Sequence, residues 1–196
     1  MKIIGLTGYI GSGKSTVSKM FKKNGFYYFD SDSYVAKLNS NKEVIAQIQK
    51  QFPKSVVAGK LDKKILKEVL FADYEKNITV LEKIYFPYVI RKVKRLILIY
   101  KFLGRKFLLL EVPLLFESKI NELCDILVLV KCSRDTQIKR VMSRSPMPMD
   151  DLEKIMVKQS RADYENKPFN YIIDTDTPME SLEKKIIEVI KEIKGE

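Results

Sequence analysis

Residues 8–15 read GYIGSGKS, from Gly8 to Ser15, and this stretch decides the fold. It satisfies the pattern G-x-x-x-x-G-K-[ST] of a phosphate-binding loop. An apolar run at 3–7 precedes it and an amphipathic segment at 14–24 follows it. Glycines let backbone N–H groups approach phosphate oxygens without an intervening side chain, and the following helix points its positive end at the same phosphates. The residues expected to hold a nucleotide are Gly11, Ser12, Gly13, Lys14, Ser15 and Thr16.

Two side chains of this loop have expected chemical roles. Lys14 would place a positive charge against the β- and γ-phosphates, and the Ser15 hydroxyl would ligate Mg²⁺. The alternative is a glycine-rich turn that caps an ordinary helix. An apolar strand pattern before the loop and a helical pattern after it favour the nucleotide site.

Strand-like and helix-like segments alternate along the chain, which predicts an α/β fold with a five-stranded, mostly parallel sheet flanked by helices. Between the second and third strands, a long stretch shows only helical periodicity, broken at Pro53, Gly59 and Pro87. We interpret it as an all-helical insertion. The predicted strands are 3–7, 26–30, 107–112, 126–130 and 171–173, and the predicted helices outside the insertion are 14–24, 135–144, 150–164 and 181–194.

Composition excludes several classes of site. The chain has 196 residues, no histidine and two cysteines, so the common zinc sites are excluded and a general base must be another residue type, such as a carboxylate. Cys124 and Cys132 flank a predicted strand, which would hold them too far apart to form a disulfide. No apolar run has the length of a membrane span, and Gly5 and Gly8 interrupt the apolar N-terminus. We therefore expect a cytoplasmic protein without a membrane partner.

The net charge of +11 attracts polyanions, including phosphorylated metabolites, nucleic acids and anionic membranes. Lysines occur in nearly every segment, which indicates a generally solvated surface. The alternative is a functional basic patch, for which residues 91–95 (RKVKR) are the best candidate. No basic tail or nucleic-acid motif is present, so we expect no nucleic-acid partner.

Asp30 and Asp32 follow the second predicted strand, in FYYFDSDS. On an extended segment they would point to the same side, into the crevice where the loop holds phosphate. A carboxylate there can orient an acceptor hydroxyl and accept its proton. The alternative is helix capping, because Asp32 or Ser33 would suit the N-cap of YVAKL. The residues alone leave both interpretations open.

Further charged candidates lie at the ends of other elements. Glu111 follows the apolar residues Phe107–Leu110, where it could bind Mg²⁺ through water or merely close the strand. Arg140 and Arg144 share one face of a predicted helix, where they could clamp transferring phosphates or form a solvated face.

Six blocks spread along the chain resemble the dephospho-coenzyme A kinase family. They are LTGYIGSGKSTV, DSDSYVAK, LDKKILKEVLFAD, LEKIYFPYV, VPLLFE at 112–117 and QIKRVMSR, and Gln159 stands where the family keeps a glutamine after its lid. Together these blocks are much more specific than a phosphate-binding loop by itself.

This resemblance implies a P-loop kinase domain over 1–196, with a substrate-binding insertion near 33–105 and a lid near 140–165. The implied reaction is phosphorylation of the ribose 3′-hydroxyl of dephospho-coenzyme A by ATP, with Mg²⁺. Lys14, Asp32 and Arg140 would be catalytic, with Asp32 as the base. Arg140 and Arg144 would contact ATP, and Asp32, Pro113 and Leu114 would contact the acceptor.

The sequence departs from the family pattern at four positions. Tyr9 replaces a glycine, so its ring must point away from the phosphates, and Phe86 replaces a histidine before Pro87. Asn170 and Asp174 stand where aspartate and asparagine are expected, which affects the adenine side. Two rival interpretations remain: another nucleoside- or nucleotide-type kinase, and a basic ATP-binding protein that associates with nucleic acid.

Overall fold

Five parallel strands form the central sheet of the structure, a computed structural model that describes residues 1–196. Their order is β2-β5-β1-β6-β7, which confirms the predicted five-stranded sheet. A separate antiparallel pair, β3 and β4, lies in the predicted insertion. The strands are β1 (Lys2–Thr7), β2 (Tyr27–Asp30), β3 (Val56–Val57), β4 (Lys60–Leu61), β5 (Phe107–Glu111), β6 (Ile126–Lys131) and β7 (Tyr171–Asp174).

Eight α-helices connect and flank these strands. Three short 3-10 helices supplement them at Pro53–Ser55, Ile120–Leu123 and Tyr164–Asn166. The α-helices are α1 (Lys14–Lys23), α2 (Ser31–Leu38), α3 (Lys42–Gln51), α4 (Lys63–Ala72), α5 (Tyr74–Phe102), α6 (Arg134–Arg144), α7 (Met149–Ser160) and α8 (Met179–Lys194).

The chain divides into two units. The first combines Met1–Asp30 with Arg95–Glu196 and contains the central sheet. Its core forms where fully apolar strands meet one face of α8, whose buried residues recur at helical spacing. Burying both faces of the sheet explains why β1, β5 and β6 are continuous apolar runs. The buried residues of α8 are Leu182, Ile186, Val189, Ile190 and Ile193.

The second unit, Ser31–Lys94, has its own apolar core. Asn41 caps α3 and Asp62 caps α4, each by accepting two backbone N–H bonds at the helix N-terminus. The buried residues of this core include Val44, Ile48 and Leu81.

The prediction of purely helical structure in the insertion is wrong on both sides of the predicted break at Gly59, where β3 and β4 form a short hairpin. Ala58 and Gly59 both have positive φ, 49° and 73°, as a two-residue hairpin turn between β3 and β4 requires. The predicted break at Pro87 is also wrong, because Pro87 lies inside the 29-residue helix α5. A proline removes one helical hydrogen bond, and the packing of Leu81, Ile84 and Tyr85 in the core holds the helix continuous there.

The placement of Asp32 on an extended segment is likewise wrong. β2 ends at Asp30, α2 begins at Ser31, and Asp32 lies in the first turn of α2. The two aspartates therefore do not share one strand face. Nor is Asp32 or Ser33 the N-cap of a helix that begins at Tyr34, since both residues are already helical.

Candidate active site

The phosphate-binding loop joins the carboxyl end of β1 to the start of α1, in the first unit. Gly13 stands at the N-cap of α1 with φ 91°, and no side chain caps the helix. The first turn of α1 also contains no acidic residue. The helix N-terminus therefore keeps its positive end and its unbonded N–H groups for an external anion.

The loop glycines are required by close contacts with neighbouring backbone. A Cβ on Gly8 would lie 2.1 Å from the Val130 carbonyl oxygen, and one on Gly11 would lie 2.7 Å from the Gln137 carbonyl oxygen. Neither oxygen belongs to a flexible side chain that could move aside. The strand β6 and the helix α6 thus fix the course of the loop from outside it.

The Lys14 ammonium lies over the loop. Its Nζ donates to the carbonyl oxygens of Gly8, at 2.8 Å, and Tyr9, at 3.0 Å. Ser12 Oγ is fully buried without a hydrogen-bond partner. Buried polar atoms are satisfied almost everywhere in folded proteins, so this hydroxyl is an exception inside the loop.

Arg140 reaches the loop from α6 through Thr175. Its Nη1 donates to Thr175 Oγ1 at 2.7 Å and its Nη2 to the Thr175 carbonyl oxygen at 2.9 Å. Thr175 Oγ1 lies 2.8 Å from the Ser12 carbonyl oxygen, to which it donates, and Arg140 Nη1 lies 3.4 Å from the Gly11 carbonyl oxygen. A guanidinium is thereby fixed beside the phosphate-binding loop. Arg144, one turn further along α6, is exposed.

Sequence reasoning missed Thr175. It is 3% exposed, directly after β7, and it connects the loop, β6 and α6. A threonine beyond a strand end carries no motif, and its partners are 35 and 163 residues away. Only the parallel pairing of β6 with β7 brings it there.

Glu111 is the last residue of β5 and is 9% exposed. Its Oε2 accepts hydrogen bonds from Ser18 Oγ at 2.5 Å and from Tyr28 OH at 2.7 Å. Burial, followed by the bond to Glu111, raises the pKa of the Tyr28 hydroxyl above its usual value, so Tyr28 remains a donor. The Glu111 carboxylate is thus tied to α1 and β2.

The last turn of α7 and the segment after it contact the first half of the loop. Gln159 Oε1 accepts a hydrogen bond from Ile10 N at 2.8 Å. The Tyr9 ring stacks on Tyr164 with a centroid distance of 4.8 Å. Tyr164 OH donates to the Pro113 carbonyl oxygen at 2.9 Å, and Thr7 Oγ1 donates to the same oxygen at 3.0 Å. Sequence reasoning gave no role to Tyr164, which lies in no motif, or to Thr7, although Thr7 lies within the block LTGYIGSGKSTV.

Asn170, Pro113 and Leu114 also lie in the first unit. Asn170 Oδ1 accepts from Leu127 N at 2.8 Å, so the side chain is tied to β6. Pro113 and Leu114 follow Val112, the residue after Glu111, and are half-buried. Asp32 is exposed and belongs to the second unit, whereas Lys14, Ser15, Glu111 and Arg140 belong to the first.

The residues present are compatible with Mg²⁺. The structure contains no group of three or more cysteine, aspartate or glutamate side chains that could hold a metal ion by themselves. Magnesium in nucleotide sites does not need one, because it is held by a few protein oxygens together with substrate phosphates and water. Ser15, exposed in the first turn of α1, is an oxygen donor of that kind.

Comparison with known proteins identifies the family. Residues 2–181 match the family model for dephospho-CoA kinase. The dephospho-CoA kinase of Bartonella quintana is 34% identical over 193 residues, which cover 98% of each chain. That of Thermus thermophilus is 31% identical and covers 98% of this chain and 92% of its own.

Solved structures agree with the fold. A crystal structure from Thermus thermophilus superposes with a TM-score of 0.74 at 31% identity, covering 97% of both chains. A Bacteroides thetaiotaomicron shikimate kinase superposes with a TM-score of 0.58 at 15% identity, covering 100% of this chain and 99% of its own, and shares the fold alone. Over nearly its whole length, this chain therefore belongs to the dephospho-CoA kinase family and is a phosphotransferase.

Proposed function

We propose that this chain transfers the γ-phosphoryl group of ATP to the ribose 3′-hydroxyl of dephospho-coenzyme A, giving ADP and coenzyme A. The observation that carries the proposal is the fixed arrangement of an uncapped helix N-terminus, the Lys14 ammonium and the Arg140 guanidinium around one loop. A family match over residues 2–181 supplies the acceptor. Neither a nucleoside-type kinase nor a nucleic-acid-binding protein is favoured by that match.

In this proposal the loop and its neighbours stabilise charge. Backbone N–H groups of residues 11–16 bind the β- and γ-phosphates, and Lys14 exchanges its two carbonyl partners for phosphate oxygens. Arg140 stabilises the charge that develops on the transferring group, because Thr175 already holds its guanidinium in place. Mg²⁺, when bound, neutralises phosphate charge, and Ser15 would be its ligand, with Glu111 reaching it through water.

We assign the acceptor side to the second unit. Asp32 is exposed in the first turn of α2, where its carboxylate can accept the proton of the 3′-hydroxyl. Residues 33–105 would form the substrate-binding insertion, and 140–165 the lid. The independent core of Ser31–Lys94 and the bond from Ile10 to Gln159 support this division. Pro113 and Leu114 would contact the acceptor, and Arg144 would contact ATP.

The decisive experiment incubates the protein with ATP, Mg²⁺ and dephospho-coenzyme A and detects coenzyme A by mass. A parallel panel of nucleosides and nucleotides replaces the acceptor. We expect phosphorylation of dephospho-coenzyme A alone. Phosphorylation of a nucleoside without that of dephospho-coenzyme A would overturn the proposal. A cytoplasmic location and the lack of a nucleic-acid partner stay predictions.

The base assignment has its own test in Asp32→Asn. The amide cannot accept the proton, so we expect kcat to fall about 10²- to 10⁴-fold while ATP binding, measured by calorimetry, is retained. Asp30→Asn is the comparison, because Asp30 ends β2 two residues earlier. Turnover close to that of the unmodified protein in Asp32→Asn, or a larger loss in Asp30→Asn, would show that Asp32 is not the base.

A further inference from the structure

Exposed apolar side chains concentrate at the end of α5. Nine large apolar residues of the chain are exposed, and four of them lie between positions 98 and 103. Leu98 and Phe102, one helical turn apart, are 69% and 92% exposed, and Ile99 and Leu103 are 40% and 51% exposed. Soluble surfaces seldom gather apolar groups in this way unless the surface binds something. We name residues 95–107 the α5 tip.

All charged side chains of the α5 tip are positive. No carboxylate occurs between Glu82 and Glu111, while eight lysines and arginines do. The exposed cations within the tip are Arg95, Lys101, Arg105 and Lys106.

Two open hollows flank the loop between α5 and β5, with volumes of about 380 and 480 Å³. Arg105 and Lys106 line both, and Lys101 lines the smaller one. The larger hollow also contains Glu196, which lies 3.7 Å from the ammonium of Lys194. The Arg105 guanidinium lies 4.8 Å from the centre of the Tyr27 ring. Cationic hollows therefore adjoin the apolar residues.

We propose that the α5 tip binds the surface of anionic membranes. Phe102, Leu98 and Leu103 enter the acyl boundary, and the neighbouring lysines and arginines contact lipid phosphates. A second copy of this chain is a poor occupant, because it would bring cations against cations. Nucleic acid offers no hydrocarbon region to receive the apolar side chains. A membrane supplies both the negative charge and the hydrocarbon.

The position of the tip is compatible with catalysis in the bound state. Phe107 pairs with Lys2 at the amino end of β1, whereas the phosphate-binding loop follows Thr7 at its carboxyl end. A strand of this length separates the two by roughly 20 Å. None of the helices combines the length and the apolar composition of a membrane-spanning segment. The lack of a span, from which we expect no membrane partner, does not address binding to a membrane surface.

The test is sedimentation with vesicles, without any substrate. We expect the protein to bind phosphatidylglycerol–phosphatidylcholine vesicles at low salt and to bind pure phosphatidylcholine much more weakly. Phe102→Ser should weaken binding about tenfold, because a ring that would be buried in lipid is lost. Met179→Ser is the matched control, since Met179 is 58% exposed at the start of α8. Equal loss in both variants, or none in Phe102→Ser, would overturn the proposal.

A second pair of variants separates local charge from net charge. Arg105→Glu with Lys106→Glu should weaken binding at least about tenfold. Lys184→Glu with Lys185→Glu changes the net charge equally at an exposed face of α8, and should weaken it far less. Equal effects would mean that only net charge matters. A dimer detected by light scattering and abolished by Phe102→Ser would assign the surface to a second copy instead. Equal effects of the two double variants, or such a dimer, would overturn the proposal. Neither measurement depends on kinase activity.

Discussion

The two ends of the central sheet use glycine for different reasons. At the carboxyl end of β1, Gly11 has φ 75°, and a Cβ there would lie 2.7 Å from the Gln137 carbonyl oxygen. At the amino end of β2, Gly25 has φ 87°, and nothing lies within 4 Å of its hypothetical Cβ. The positive φ favours glycine at both positions, but only at Gly11 is there also no room for a Cβ. The backbone is therefore closely packed at Gly11, at the nucleotide end, whereas Gly25 only turns the chain.

The largest expected effect tests whether the nucleotide end performs the chemistry. Lys14→Ala removes the ammonium that contacts the loop carbonyls, and kcat/KM for coenzyme A formation should fall at least about 10³-fold. Lys184→Ala, an exposed lysine on α8, is the control and should retain activity. If Lys14→Ala retains activity, the nucleotide end of the sheet does not depend on Lys14 for the chemistry, and the prediction is wrong.

Replacing the two glycines tests the comparison directly. Gly11→Ala adds a clash with backbone to an unfavourable φ, so the free energy of unfolding should fall by about 3 kcal/mol or more, with loss of ATP binding. Gly25→Ala meets only the φ cost, about 1–2 kcal/mol, and should bind ATP normally. Denaturant unfolding and calorimetry measure both quantities. If the two variants lose similar amounts of stability and ATP binding, the close contacts at Gly11 do not distinguish it from Gly25.

A smaller effect is expected from Thr175→Val, which keeps the shape of the side chain and removes its hydroxyl. The Ser12 carbonyl loses a donor and Arg140 loses an acceptor, so the free energy of unfolding should fall by about 1–3 kcal/mol. We also expect kcat to fall more than ATP affinity, because Arg140 acts on the transferring group. Thr177→Val, exposed two residues further on, is the control. An unchanged kcat would mean that Thr175 does not position Arg140.

Local signals explain what the sequence predicted well. The loop between β1 and α1 is a contiguous motif, and the apolar runs of β1, β5 and β6 are strand-length, so the sheet could be predicted without long-range information. The antiparallel pair escaped prediction because each strand has two residues and shows no periodicity. The continuity of α5 through Pro87 was not predicted, because packing of the second unit outweighs the cost of one missing helical hydrogen bond.

The candidate site residues also fall into two groups: those that a local motif predicts and those whose roles depend on long-range contacts. Lys14 and Ser15 belong to the motif, but the contacts of Arg140 depend on Thr175, which no local pattern connects to residue 12. The transition from strand to helix at Ser31 was missed because two aspartates separated by one residue fit an extended segment and a helix start equally well. The bonds from Ser18 and Tyr28 to Glu111 likewise arise only when β2, β5 and α1 come together.

The stacking of Tyr9 on Tyr164 has a spectroscopic consequence. The chain contains no tryptophan, so Tyr9→Trp would introduce a single indole against the Tyr164 ring and next to the phosphate-binding loop. Its emission would be free of any other indole signal and would follow nucleotide binding in real time. The residue that departs most visibly from the family pattern thus offers a built-in position for an optical probe.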